Sequence, residues 1–225
     1  MEMEEKMNIF DVEIDGFTAK TAMQKAVEYM QSEYVSTIEI VTLDMLMQGK
    51  DDPVWKENTK EIDMVLSGER EILEAANITD KILLKNVDNQ VFLKMFLRYL
   101  QRNRKRVFLI AQSEKELVSL EEAMVKYHRG IAVAGHGILS SEGKSEEDII
   151  NDVNGAETDC IISVLPSPEQ EEFIIRNKSL LNIRVWLGCG NMLAENYRRK
   201  STGGVRRFLM KRAFRYNVEQ QKKNL

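Results

Sequence analysis

The densest group of side chains able to do chemistry lies where an apolar run turns polar, in CIISVLPSPEQEEFII from Cys160 to Ile175. The run reads as a buried strand, a tight turn through Pro166-Ser167-Pro168 and the start of a helix. Ser167 suits the N-cap, Pro168 the first helical position, where no N–H is needed, and Gln170 the third position of a capping box. A helix opening at the carboxyl end of a parallel strand turns unpaired N–H groups and a positive dipole end toward the crevice where open α/β sheets bind ligands. That makes the turn a candidate diphosphate or sugar site. Plain helix capping uses the same residues, and Glu169 and Glu171 would repel an anion at close range, so both readings stand at this point.

Other groups are sparser. Gly188-Cys189-Gly190 ends a second apolar run, Ile183 to Leu187, and Gly135-His136-Gly137 ends a third, Ile131 to Ala134. Glycines around His136 fit either close approach of a ligand or an ordinary turn with a solvent-facing histidine. Cys160 and Cys189 lack a CxxC or a Cys/His cluster and read as reduced thiols of a cytosolic protein. His128 and His136 are isolated from each other, and no Asp-x-Asp triplet is present to hold a divalent cation, so no metal or other cofactor is expected.

Pro168-Glu169-Gln170-Glu171, set between an apolar strand and IRVWLGCG, resembles the Pro-x-Gln-Glu motif of the WecG/TagA/CpsF glycosyltransferases. The order of elements from about Ile9 to Gly190 is similar as well. The resemblance implies substrate contacts at Pro168, Gln170 and Glu171, and at Gly188 and Gly190 beside the donor. The family ends an earlier strand in Thr-x-Asn, which corresponds here to Thr42 and Asp44; the anion at Asp44 cannot donate the hydrogen bonds of an amide. After the next strand the family carries Pro-Asp-Gly, whose Asp is its proposed general base. Counting places Gly68 there, and Glu69, one residue on, is the candidate catalytic carboxylate. Glu69 and Glu71 are equally accounted for as acids in the first turn of a helix running to Ala76.

The elements that must position these residues alternate. Strands are expected at Met7 to Ile14, Thr37 to Leu43, Ile62 to Leu66, Val107 to Ala111, Ile131 to Ala134 and Cys160 onward. Between them, helical spacing marks Thr18 to Gln31, Pro53 to about Lys60, Asn89 to Asn103, Ser113 to about Tyr127 and Ser145 to about Val153. Lys81 to Leu84 reads as a short apolar piece and Asn191 to Asn196 as a short helix. This predicts an α/β, Rossmann-like, mainly parallel sheet with helices on both faces. A chain of this size with 43% hydrophobic residues can bury one substantial core. No apolar run approaches a membrane span and the N-terminus lacks a signal pattern.

Charge is unevenly divided. From Arg198 onward ten Lys/Arg face one acid, Glu219, for a net +9; the total of −4 leaves residues 1 to 197 at −13. We therefore expect an α/β domain over 1–197 and a basic helical appendage over 198–225, in which Phe208, Leu209, Arg212 and Tyr216 share a face. Such a helix can lie on anionic lipid, bind nucleic acid or pack on its own domain with its arginines solvated, and an acidic body disfavours nucleic acid. In the resembling family the appendage contacts the membrane and closes over the acceptor, roles that would fall to Arg206, Arg207, Arg212 and Arg215. The resemblance thus implies transfer of an N-acetylhexosamine from a UDP-sugar donor to a polyprenyl-diphosphate-linked acceptor, in cell-surface polysaccharide or teichoic acid synthesis. The enzyme would be cytoplasmic, peripheral to the inner face of the cell membrane, and metal-independent, with homo-oligomer formation left open. The alternative is a non-catalytic relative that binds a nucleotide sugar or acts as a scaffold, which Gly68, Asp44 and Pro166, in place of the usual Gly, favour.

Overall fold

The computed structural model describes residues 6–127, 129–140, 144–190, 192–193 and 204–224, the side chains of 125–127, 204–207 and 224 excepted. His128, Arg198 to Lys200 and most of the short helix expected at Asn191 to Asn196 lie outside the described residues. The chain opens with a hairpin, β1 Lys6–Ile9 and β2 Val12–Asp15, rather than the single strand expected over Met7 to Ile14. Phe10 and Asp11 between them both take positive φ (54° and 65°), the geometry of a two-residue turn whose twist matches paired strands. The hairpin forms its own two-stranded sheet. It still serves the main sheet, because Asp15 Oδ2 accepts the Val65 N–H at 2.9 Å on an edge strand.

The main sheet follows the expectation. Helix α1 (Ala19–Tyr29), capped by Thr18, leads to β3 (Ser36–Val41); α2 (Leu43–Gly49) and α3 (Pro53–Lys60) lead to β4 (Met64–Ser67). Then come α4 (Arg70–Ala75), α5 (Lys81–Asp88), α6 (Val91–Arg102), β5 (Arg106–Ala111), α7 (Glu114–Tyr127) and β6 (Ala132–Ile138). The chain closes through α8 (Glu146–Gly155), β7 (Cys160–Ser163), α9 (Glu169–Asn177), β8 (Val185–Gly188) and α10 (Gly204–Asn224). The six strands are all parallel in the order β4-β3-β8-β7-β5-β6. Neighbouring strand residues divide between two cores: Ile38, Ile40 and Leu187 face α1 and α6, while Val41, Val65 and Trp186 face the hairpin, α3 and α9. Helices therefore cover both faces, the Rossmann-like arrangement read from the sequence.

Several local expectations differ. The strand read through Leu43 ends at Val41, because Thr42 caps α2 with its hydroxyl accepting from Met45 N at 3.4 Å. Lys81 to Leu84 begins a full helix, whose first N–H groups bond to Asp80 Oδ1 at 2.7 and 2.9 Å. Gly135-His136-Gly137 lies inside β6 rather than in a turn after it, since a Cβ at Gly135 would stand 2.7 Å from the Phe108 ring. The glycine there makes room for an aromatic core side chain.

The appendage helix shows a different face from the one expected. Phe214 is fully buried and Val218 nearly so, while Phe208, Leu209 and Tyr216 are more than half exposed. The Phe10 ring meets Phe214 edge-on, with centroids 5.7 Å apart, and Phe10 N donates to Gln221 Oε1 at 3.1 Å. The hairpin turn thus selects which stripe of α10 goes inward. Part of the basic charge is used internally: Lys211 pairs with Glu71, Arg215 with Glu74 at 3.2 Å, and Lys222 donates to the Ala75 carbonyl. Phe214→Ala should therefore cost about 3 kcal/mol of unfolding free energy, as a truncated core aromatic does. Phe208→Ala should stay within about 0.5 kcal/mol in the same urea titration.

Candidate active site

At the carboxyl ends of β3, β4, β7 and β8 the backbone leaves a cavity of about 210 Å³. Thr42, Asp44, Gln48, Glu69, Ser167 and Gly190 supply most of its polar or flexible wall, with Met192 and Leu165 as apolar lining. This is where parallel sheets bind ligands.

Glu69 is placed by the end of β4. Its backbone is extended (φ −137°, ψ 139°) at the position before α4, and its Oε1 accepts the Leu43 N–H at 3.0 Å. That bond ties the end of β4 to the end of β3. Gly68 N donates to Val41 O at 2.8 Å, and a Cβ on Gly68 would lie 2.8 Å from that carbonyl oxygen and 2.7 Å from Met192 Sδ. Position 68 therefore has no space for a carboxylate side chain. Two carboxylates line the cavity, that of Glu69, one residue along from Gly68, and that of Asp44.

The turn of the signature segment reaches the cavity through Pro166 and Ser167. Pro168, after a cis Ser167–Pro168 peptide, occupies the N-cap of α9 without a side-chain capping bond. The capping box expected from Ser167 and Gln170 is absent, because both side chains have stronger partners beneath the turn. Ser167 Oγ donates to Glu171 Oε1 at 2.6 Å, and Gln170 Nε2 donates to Glu39 Oε1 at 2.5 Å. Gln170 and Glu171 are fully buried, below the cavity rather than in its wall. Gly188 lies with them, since a Cβ there would stand 2.3 Å from Glu39 Oε2 and 2.8 Å from Gln170 Nε2. Gly190, at φ +47°, is on the cavity rim in a conformation that favours glycine.

Glu39 was not singled out by sequence reasoning. A lone acid in TIEIVTL reads as the solvated face of an alternating strand, and becomes interior only when both faces of a parallel sheet are covered. Burial, and then the charge of Glu171, push the Glu39 carboxyl well above the usual carboxylate range, against the bond from Gln170. Burial likewise raises Glu171, against the Ser167 hydroxyl. The Cys160 and Cys189 thiols are also pushed up, chiefly by burial, and are inert core groups.

The remaining candidates lie elsewhere. His136 is exposed on the edge strand β6, with Nδ1 3.2 Å from Glu121 Oε1, outside the cavity lining. Arg212 and Arg215 are exposed on α10; Arg206 and Arg207 belong to the same helix, their side chains outside the described residues. Among the described residues no group of three His, Cys, Asp or Glu side chains is placed to hold a metal ion, and no helix is long and apolar enough to cross a membrane.

The model of the glycosyl transferase WecG/TagA/CpsF family matches residues 7–200. The chain belongs to this family. The match spans every residue that lines the cavity and stops before α10. No individual curated protein matches the chain. Membership in the WecG/TagA/CpsF family makes sugar transfer in cell-surface polysaccharide synthesis the activity to which this cavity is to be compared. Because Gly68 is closed in by backbone, Gly68→Asp should destabilise the fold by about 1–3 kcal/mol, as other overpacked sites do. A thermal melt of the variant checks this, and an unchanged Tm would show that the turn has room for the side chain.

Proposed function

We propose that the chain is an inverting-type transferase that moves an N-acetylhexosamine from a UDP-sugar to a polyprenyl-diphosphate-linked sugar, with Glu69 as general base. The observation that carries this reading is the Glu69 carboxylate on the cavity wall beside Thr42 and Asp44, at the strand ends of a glycosyltransferase-family chain. As the acceptor hydroxyl oxygen bonds to the anomeric carbon, its proton passes to Glu69 while the bond to UDP breaks. UDP leaves with the electron pair, and its negative charge is met by cationic side chains rather than by a metal ion.

The placement of α10 supports a lipid-linked acceptor. Lys211, Arg215 and Lys222 meet α4 in order at Glu71, Glu74 and the Ala75 carbonyl, so the two helices run in the same sense. Helix α4 begins at the cavity, and the seven residues of α10 before Lys211 continue about 10 Å beyond that contact at the helical rise. They carry Arg206, Arg207 and the exposed Phe208 and Leu209, with Arg212 one position past Lys211. Aromatic and aliphatic groups beside arginines suit an anionic bilayer at the cytoplasmic face, where the acceptor diphosphate would lie. The closed position at Gly68 favours a second reading, a relative that keeps the nucleotide-sugar pocket without turnover.

Glu69→Gln separates the two. In the enzyme, transfer from UDP-N-acetylhexosamines to a polyprenyl-diphosphate-linked acceptor should fall about 10²–10⁴-fold while the donor-induced rise in Tm persists. Wild-type turnover untouched by the substitution would remove Glu69 from the base role, and a wild type that binds donor without turnover would establish the second reading. The membrane role has its own check. Phe208→Ser with Leu209→Ser should release the full chain from anionic liposomes in a sedimentation assay without lowering Tm, and salt should weaken wild-type binding.

A further inference from the structure

Beneath the cavity lie polar groups that sugar transfer does not use. Glu39 Oε1 takes the Gln170 amide N–H, but Glu39 Oε2 and Gln170 Oε1 are both buried with no hydrogen-bond partner. Two acceptors without a donor in a sealed interior are costly, and a carboxylate has no donor to give. A carboxylic acid has one. A proton on Oε2 would make Glu39 a donor for Gln170 Oε1 while its own Oε1 keeps the bond from Nε2, so that a single proton would serve both orphaned atoms.

We propose that Glu39 is a positioning residue: a neutral carboxylic acid paired reciprocally with the Gln170 amide, which holds the Pro166–Ser167 wall of the cavity in place. The connection to the wall is short, because Gln170 N donates to Pro166 O at 3.0 Å and both Pro166 and Ser167 line the cavity. Gly188 is the register partner of Glu39 on β8, and its missing side chain is what lets acid and amide meet. The titratable groups that bear on Glu39 are Glu171 of α9 and Cys189 just after β8. Neither is a cation, so nothing there compensates an ionised Glu39, and an ionised Glu171 opposes it. The effect on substrate rests on the glycosyl-transfer reading above; the acid–amide pair does not.

The sign of the pH dependence follows. The folded chain keeps on Glu39 a proton that the unfolded chain releases near the ordinary value of 4.5. The stabilising contribution is complete below that pH and is lost progressively as pH rises, until the folded group itself titrates. Glu39→Gln places an amide where the acid stood, keeps both hydrogen bonds and cannot ionise. Glu171 is present in wild type and variant alike, so their difference isolates Glu39.

Thermal melts of wild type, Glu39→Gln and Glu39→Ala between about pH 5 and about pH 8 test the proposal. The Tm of Glu39→Gln should gain on wild type by about 3–5 °C for each pH unit over which wild type retains the proton. In isotope-edited infrared spectra at neutral pH, wild type should show a protonated-carboxyl stretch that Glu39→Gln lacks. Added UDP-N-acetylglucosamine should raise the Tm of wild type and Glu39→Gln but not of Glu39→Ala, the rescue by glutamine distinguishing the pair from simple cavity filling. A constant gap across the pH range with no protonated-carboxyl band lost would overturn the proposal. If wild type shows no shift with the nucleotide sugar, the transfer reading falls, and the infrared band and pH series still decide the pair.

Discussion

Position 188 cannot carry a side chain, and the arrangement of the carboxyl edge of the sheet depends on that constraint. Strands β3 and β8 run parallel with Gly188 opposite Glu39, and into the space above the glycine come a carboxyl from β3 and an amide from α9. A methyl group there would overlap both, 2.3 Å from Glu39 Oε2 and 2.8 Å from Gln170 Nε2. The contact joins the first strand of the sheet to the helix that follows its fifth, across 131 positions of sequence. Because α9 is anchored from below, its preceding turn is held at a fixed height over the strand ends, and the cavity wall follows from it. The amino edge is closed more simply. There Asp63 accepts from Thr37 N and Oγ1, and Asp159 from Arg106 N, which satisfies backbone N–H groups at the strand starts.

On the other side of the cavity a second contact, the bond from Leu43 N to Glu69, ties the end of β3 to the end of β4. It does two things at once: it satisfies an N–H at the start of α2 and presents a carboxylate to the cavity. This keeps an acid at the end of β4 although position 68 is glycine. The Gly68 N–H continues the pairing of β4 with β3 through Val41 O, so the backbone at 68 is held close to its neighbour and the next residue is the first able to turn outward.

Helix α10 links the electrostatics of the chain to its packing. The acidic body and basic end compensate each other in part within one molecule, through Glu71, Glu74 and the α4 carbonyl end, while Phe214 and Val218 enter the same core as the hairpin. The exposed Arg215–Glu74 pair contributes little, while Phe214, against Phe10, and Val218 bury apolar surface that attaches the helix. What is left outward is a mixed basic and apolar surface on the cavity side of the helix.

Alternation of apolar runs with amphipathic segments, the helix starts at Thr18, Pro53, Ser113 and Ser145, and the charge asymmetry were all legible from residue order, because each depends on near neighbours along the chain. So was the turn before Pro168 to Glu171, which follows β7 and leads into α9. Features set by distant contacts were not. The hairpin turn at Phe10 and Asp11 required positive φ from residues other than glycine, and Gly135 served the Phe108 ring rather than a turn. The inward stripe of α10 was chosen by Phe10, more than 200 residues away. Whether Glu39 faced water or Gln170, and whether Gly68 left room for an acid, depended on which strands lie side by side. Sequence spacing specifies a face of a strand or helix, but it does not specify what that face meets, and the protonation and placement of these groups are decided by the partner they meet.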